Sequence, residues 1–131
     1  MKQGARQQRV GVDLEAIRAL DDIEGIARRF FSARENAALV NTPVSEQSEA
    51  FFRCWTLKEA FVKATGDGLA RPTESFDVAF GRGEAELLSV EGKPDEASRW
   101  KLFQFSPAAN FVGALAVEGQ DWELRRFEYE L

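Results

Sequence analysis

The sequence has 131 residues, 44% hydrophobic and 30% charged, which suits one compact globular unit and leaves no room for a second full domain, so residues 1–131 are read as a single domain. A formal charge of −5 at pH 7 argues against non-specific nucleic-acid binding, and the absence of histidine excludes Ser-His-Asp and Cys-His nucleophile systems and the usual nitrogen ligands of catalytic zinc. No long apolar run occurs and the opening MKQGARQQRV is polar, so neither a membrane span nor secretion is supported and a cytoplasmic protein is the expectation.

In chain order, Arg9 to Glu15 alternates with period two, with Val10, Val12 and Leu14 on one face and Gly11, Asp13 and Glu15 on the other, and reads as a short strand. Asp22 is placed to cap a helix through Ile23, Ile26, Ala27, Phe30 and Phe31. Ser32-Ala33-Arg34-Glu35 matches a capping box, which accounts structurally for both Ser32 and Glu35. Asn41-Thr42-Pro43 interrupts that second helix. A third then runs from Ser45 or Glu46 to Thr65, with Gly66 as its C′ stop.

Beyond Gly66 the period changes. Phe76, Val78 and Phe80 alternate, Gly81-Arg82-Gly83 supplies turn chemistry, and Ala85 to Val90 returns as the partner strand of a hairpin. After Gly92-Lys93-Pro94, further strands are expected over Trp100 to Phe105, Phe111 to Val117 and Trp122 to Tyr129. Helices first and strands after predict an α+β fold, with helices packed on a small, mostly antiparallel sheet.

The third helix raises a question of charge. At about 100° per residue, Leu57, Phe61, Cys54, Phe51, Val62, Trp55 and Phe52 follow one another around a broad apolar arc, so Trp55 and the single Cys54 read as core. Lys58 projects from the middle of that arc. Glu59 falls at its edge between Trp55 and Phe52, and Lys63 lies one turn further along the same edge. Taken alone, the helix is best explained by an exposed Glu59–Lys63 pair with Lys58 reaching out to water. Asp13 and Glu15, two apart on one side of a strand, read alone as a solvated acidic face. The balance changes if strand and helix adjoin, because three carboxylates brought together repel one another unless a cation lies between them. Magnesium suits such a set: it takes oxygen ligands and commonly shares its shell with phosphates, whose remaining oxygens Lys58 and Lys63 would neutralise.

Three segments, Gly11-Val12-Asp13-Leu14-Glu15, Phe30-Phe31-Ser32-Ala33-Arg34-Glu35 and WTLKEAFVKATGDGL over residues 55–69, in this order and at these separations, resemble the 4′-phosphopantetheinyl transferase superfamily. The Asp-x-Glu strand and the W-x-x-K-E-A-x-x-K helix are similar to its Sfp-like branch. The likeness covers residues 10 to 80, and the strand-rich remainder fits the family's second half without adding a motif. The resemblance implies magnesium-dependent transfer of the 4′-phosphopantetheine arm of coenzyme A to a serine of an acyl or peptidyl carrier protein, with release of adenosine 3′,5′-bisphosphate. Asp13, Glu15 and Glu59 would then hold magnesium, with Glu59 also the base for the serine, while Lys63 contacts the diphosphate and Lys58 is a weaker candidate for the same contact.

The likeness has one departure. Sfp-like enzymes have two similar halves with the coenzyme A site between them, and this sequence resembles the second; the first half's nucleotide contacts, a histidine among them, have no counterpart here. Its length resembles the short holo-acyl-carrier-protein synthases, whose trimers share each site between subunits, but their helix usually has Phe where Trp55 stands and their strand usually lacks an acid at the position of Glu15. The expected protein is a half domain that forms a homo-oligomer, a symmetric dimer first. The alternatives are a non-catalytic half domain that keeps metal or carrier-protein binding, and an unrelated α+β interaction domain.

Overall fold

The computed structural model describes residues 8–66 and 72–125. Its elements in chain order are β1 (Val10–Ala16), α1 (Ile23–Phe30), α2 (Ala33–Val40), α3 (Gln47–Thr65), β2 (Phe76–Ala79), β3 (Glu86–Val90), β4 (Trp100–Phe105) and β5 (Phe111–Glu118). Among the described residues all strand pairing is antiparallel: one sheet has the order β1-β5-β4 and the second is the β2-β3 hairpin. This is the α+β architecture expected of the sequence. No helix among the described residues is long and apolar enough to cross a membrane.

The local signals act as their chemistry predicts. The Asp22 carboxylate accepts from Gly25 N at the start of α1, and Ser32 and Glu35 complete a reciprocal capping box at the start of α2. Gly66 ends α3 in the left-handed region, at φ 72°, where a side chain would be strained. The predicted strand over Trp122 to Tyr129 is corrected in part. Residues 122–125 are irregular and the remainder lies outside the described residues. Trp122 folds back instead, its indole N–H donating to Glu118 O at 2.8 Å.

The α3 helix lies across the three-stranded sheet and is buried on nearly every side, against β1 and β5 on one flank and α2 and β2 on another. Its apolar residues form the core with Trp100 and Leu102 of β4 and Val112, Ala114 and Ala116 of β5. Cys54 belongs to this core; burial pushes its thiol well above the ordinary range, which makes it chemically inert.

The face of β1 that meets α3 is the polar one. Gly11 and Asp13 are buried, whereas Val10, Val12 and Leu14 are 53–54% exposed. This reverses the reading of Asp13 and Glu15 as a solvated acidic face. The cause is at Gly11, where a Cβ would stand 2.1 Å from Ala60 O and 2.5 Å from Ala64 N, so strand and helix touch backbone to backbone. Such proximity brings the alternate residues of β1 onto the helix.

Candidate active site

Where β1 meets the second half of α3, Asp13 lies beside Lys63, its Oδ1 accepting from the ammonium at 2.7 Å. The Asp13 side chain is only 9% exposed, whereas that of Lys63 is 52% exposed. Lys63 also makes a long 3.4 Å approach to Val12 O. The second oxygen of Asp13, Oδ2, is buried and has no hydrogen-bond partner among the described residues. A buried carboxylate oxygen without a donor is costly, so this atom calls for one.

Glu59 and Glu15 complete the group. Burial raises the Glu59 carboxyl above its ordinary value, the charge of Asp13 adds to the rise, the Lys63 ammonium opposes it, and Glu15 contributes a further increase. Lys63 is raised in turn, first by its hydrogen bond to Asp13, against the effect of burial, and then by the charges of Asp13, Glu59 and Glu15. Four predicted site residues from two elements thus form one electrostatic unit. Glu15 has a further neighbour that the sequence reading did not single out, Arg18, at 3.6 Å.

Lys58 does not join them. It is 1% exposed and on another flank of α3, where its ammonium meets both carboxylate oxygens of Glu35, at 2.7 and 2.8 Å, and donates to Phe76 O at 2.5 Å. Buried there and held by Glu35 and Phe76 O, the ammonium is not presented to a ligand. The assignment of Lys58 as a phosphate contact is corrected accordingly, as is its expected reach to water. Glu35 is correspondingly more than a cap: it accepts from Ser32 N and from Val78 N, each at 2.8 Å, the latter at the register irregularity of β2.

Glu59 and Lys63 stand on the wall of a cleft of about 760 Å³, whose other walls include Arg29 and Phe30 of α1, Trp55, and Pro72 to Glu74. That volume is within the range of small-molecule sites. Trp55 both packs and lines the cleft: it meets Phe30 edge-on at 5.6 Å and stacks on Phe51 at 5.9 Å between centroids. Arg29, also unmarked by the sequence reading, adds a second positive charge to the wall.

The donor set suits a hard divalent cation, being carboxylate oxygens alone with one buried oxygen lacking a partner. As the side chains stand, no three acidic, cysteine or histidine groups among the described residues are gathered around one point, and Lys63 holds the position beside Asp13.

Comparison with known proteins matches the chain to a family. A family model described as the 4′-phosphopantetheinyl transferase superfamily matches residues 9–116. The 4′-phosphopantetheinyl transferase HetI of Nostoc sp. is 38% identical over 122 residues, 93% of this chain and 48% of HetI. Sfp of Bacillus subtilis is 39% identical over 71 residues, 54% of this chain and 31% of Sfp. The chain therefore spans about half the length of HetI and a smaller share of Sfp. Among solved structures, the holo-[acyl-carrier-protein] synthase of Thermotoga maritima superposes with a TM-score of 0.67 at 23% identity, covering 86% of this chain and 63% of that one. The Bacillus anthracis synthase, solved in complex with CoA (3′,5′-ADP), gives 0.58 at 20%, covering 86% and 96%. At these identities the structures establish a shared fold, while the sequence match over residues 9–116 establishes descent: the chain belongs to the 4′-phosphopantetheinyl transferase superfamily.

Proposed function

We propose that the chain carries the acidic and cationic half of a phosphopantetheinyl transfer site, moving the 4′-phosphopantetheine group from coenzyme A to a serine of an acyl or peptidyl carrier protein. The observation that carries this reading is the approach of buried Asp13 to half-buried Glu59 and exposed Lys63, the latter two on the wall of a ligand-sized cleft, within the segment matched to the family. In the transfer the serine Oγ attacks the phosphorus that bears the pantetheine arm, the diphosphate P–O bond breaks, and adenosine 3′,5′-bisphosphate departs with the electron pair. Glu59 takes the serine proton; its raised pKa makes it a stronger base than an ordinary glutamate. Lys63, half exposed on the cleft wall, offsets negative charge on the phosphate oxygens. Asp13, Glu15 and Glu59 would hold Mg2+, which when bound polarises those oxygens.

The test is to incubate the purified chain with coenzyme A, Mg2+ and an apo carrier protein and weigh the carrier. One added phosphopantetheine group is the expected result, and Glu59→Gln should slow its appearance by at least about 100-fold, as expected for removal of a general base. A second reading, favoured by the Lys63 ammonium holding the position beside Asp13, is a non-catalytic half domain that binds a cation or a carrier protein. An unmodified carrier together with retained Mg2+ binding would select it.

An apolar row at the surface favours assembly. Val10, Val12 and Leu14 form an exposed apolar row on β1, with Phe111 of β5 exposed on the same face beside Ala16. A second copy of the chain covering this row is the expected arrangement, with a symmetric dimer the first candidate. Sedimentation equilibrium should give a mass above the 14.7 kDa monomer. A monomer mass at all concentrations would remove the prediction.

A further inference from the structure

The Asp13–Lys63 contact unites two groups with opposite needs. Asp13 is nine-tenths buried, and one of its two oxygens has no donor among the described residues. Lys63 is half exposed, tied to Asp13 by one short contact and to Val12 O by a long one, and stands at the cleft where the reading above places a phosphate. One group is under-satisfied where it is, and the other is free to leave. We propose that Lys63 is an exchangeable internal counter-ion: its ammonium neutralises Asp13 while no cation is bound, and a divalent cation entering among Asp13, Glu15 and Glu59 displaces it into the cleft to meet an oxyanion.

This inference rests on the cation site proposed above and adds a consequence to it. Cation and lysine compete for one carboxylate, so the affinity of the free protein for the cation is reduced by the fraction of time that Asp13 is free of Lys63. If the pair is closed for about nine-tenths of the time, the reduction is about tenfold. Displacement then frees the lysine for a phosphate oxygen, so cation and oxyanion favour each other's binding, and linkage makes the effect equal in both directions. The Lys63 position would thereby order the site, making the charged cleft fully receptive only when the cation is present.

The sign of the expected result separates this device from an ordinary phosphate-binding lysine. Mn2+ binding to the full chain, followed by the loss of the free-ion paramagnetic resonance signal, should be about tenfold tighter in Lys63→Met than in the wild type. Arg18→Met is the control, because it removes a positive charge 3.6 Å from Glu15, one of the same acids, without freeing Asp13. It should change affinity by no more than about twofold, since an exposed pair at that distance is weak. In the wild type, saturating Mg2+ should also speed acetylation of Lys63 several-fold, read by peptide mass spectrometry, while exposed Lys93 labels at an unchanged rate. Equal Mn2+ affinity in wild type and Lys63→Met, equal gains in Lys63→Met and Arg18→Met, or a Lys63 labelling rate indifferent to Mg2+ would each overturn the exchange and leave the cation site standing. Failure of wild type and both variants to bind Mn2+ would overturn the cation site and the exchange with it.

Discussion

Lys58→Ala should destabilise the chain by about 3–5 kcal/mol, the usual consequence of removing one partner of a buried ion pair. The Lys58 ammonium donates to Glu35 Oε2 and to Phe76 O, lies 2.7 Å from Glu35 Oε1, and stands 4.1 Å from the centre of the Phe76 ring. Without it, Glu35 remains as a fully buried carboxylate holding Ser32 N and Val78 N but no positive charge. The substitution also leaves a cavity in the core. A thermal melt should fall by at least about 10 °C for a chain of this size. Glu35→Ala should be as damaging, because it strands the ammonium as well as two backbone N–H groups. Replacing both with apolar residues, neutral for some buried pairs, should not restore stability here, since Ser32 N and Val78 N would still lack an acceptor. A double-mutant cycle in urea separates these contributions. A change in melting below about 2 °C in Lys58→Ala would instead return the lysine to solvent or to the ligand cleft.

The fate of Lys58 shows where sequence reasoning stops. Helical periodicity places Lys58 within an apolar arc and Glu59 and Lys63 together at its edge, and both placements hold. Periodicity gives a direction but not what stands opposite, and the carboxylate that neutralises Lys58 is 23 residues earlier in the chain. Glu35 itself was legible as a cap, correctly, because capping is local. Its contacts with Val78 and Lys58 depend on three elements meeting, which no spacing encodes. Asp13, Glu15, Glu59 and Lys63, which carry the motifs of the family resemblance, influence one another's charge, and of the four Glu59 and Lys63 line the cleft. Arg29 and Arg18 had no motif to mark them.

The strand that supplies Asp13 was legible as a strand but not in its orientation, and the residue that decides this is Gly11. Period-two alternation would ordinarily turn Val10, Val12 and Leu14 inward and leave the acids in water. The opposite happens because Gly11 offers no side chain where β1 crosses α3, and Ala60 and Ala64, four residues apart on the helix, present their own backbone to it. Gly11→Val is therefore expected to be among the most damaging single changes available. Its Cβ would fall 2.1 Å from Ala60 O and 3.0 Å from Ala64 Cα, and neither atom can yield as a flexible side chain does. Relief requires lifting β1 from the helix, which opens the core and exceeds the about 1–3 kcal/mol usual for overpacking among side chains. The same displacement would part Asp13 from Lys63 and Glu59. Gly11→Ala, adding a single carbon at the same position, should retain more structure, so that its cation affinity can be measured and should fall even in those molecules that remain folded. A Gly11→Val variant with an unchanged melting curve and intact cation binding would show that β1 can stand off α3 without loss, and that backbone contact at Gly11 does not place the acidic site.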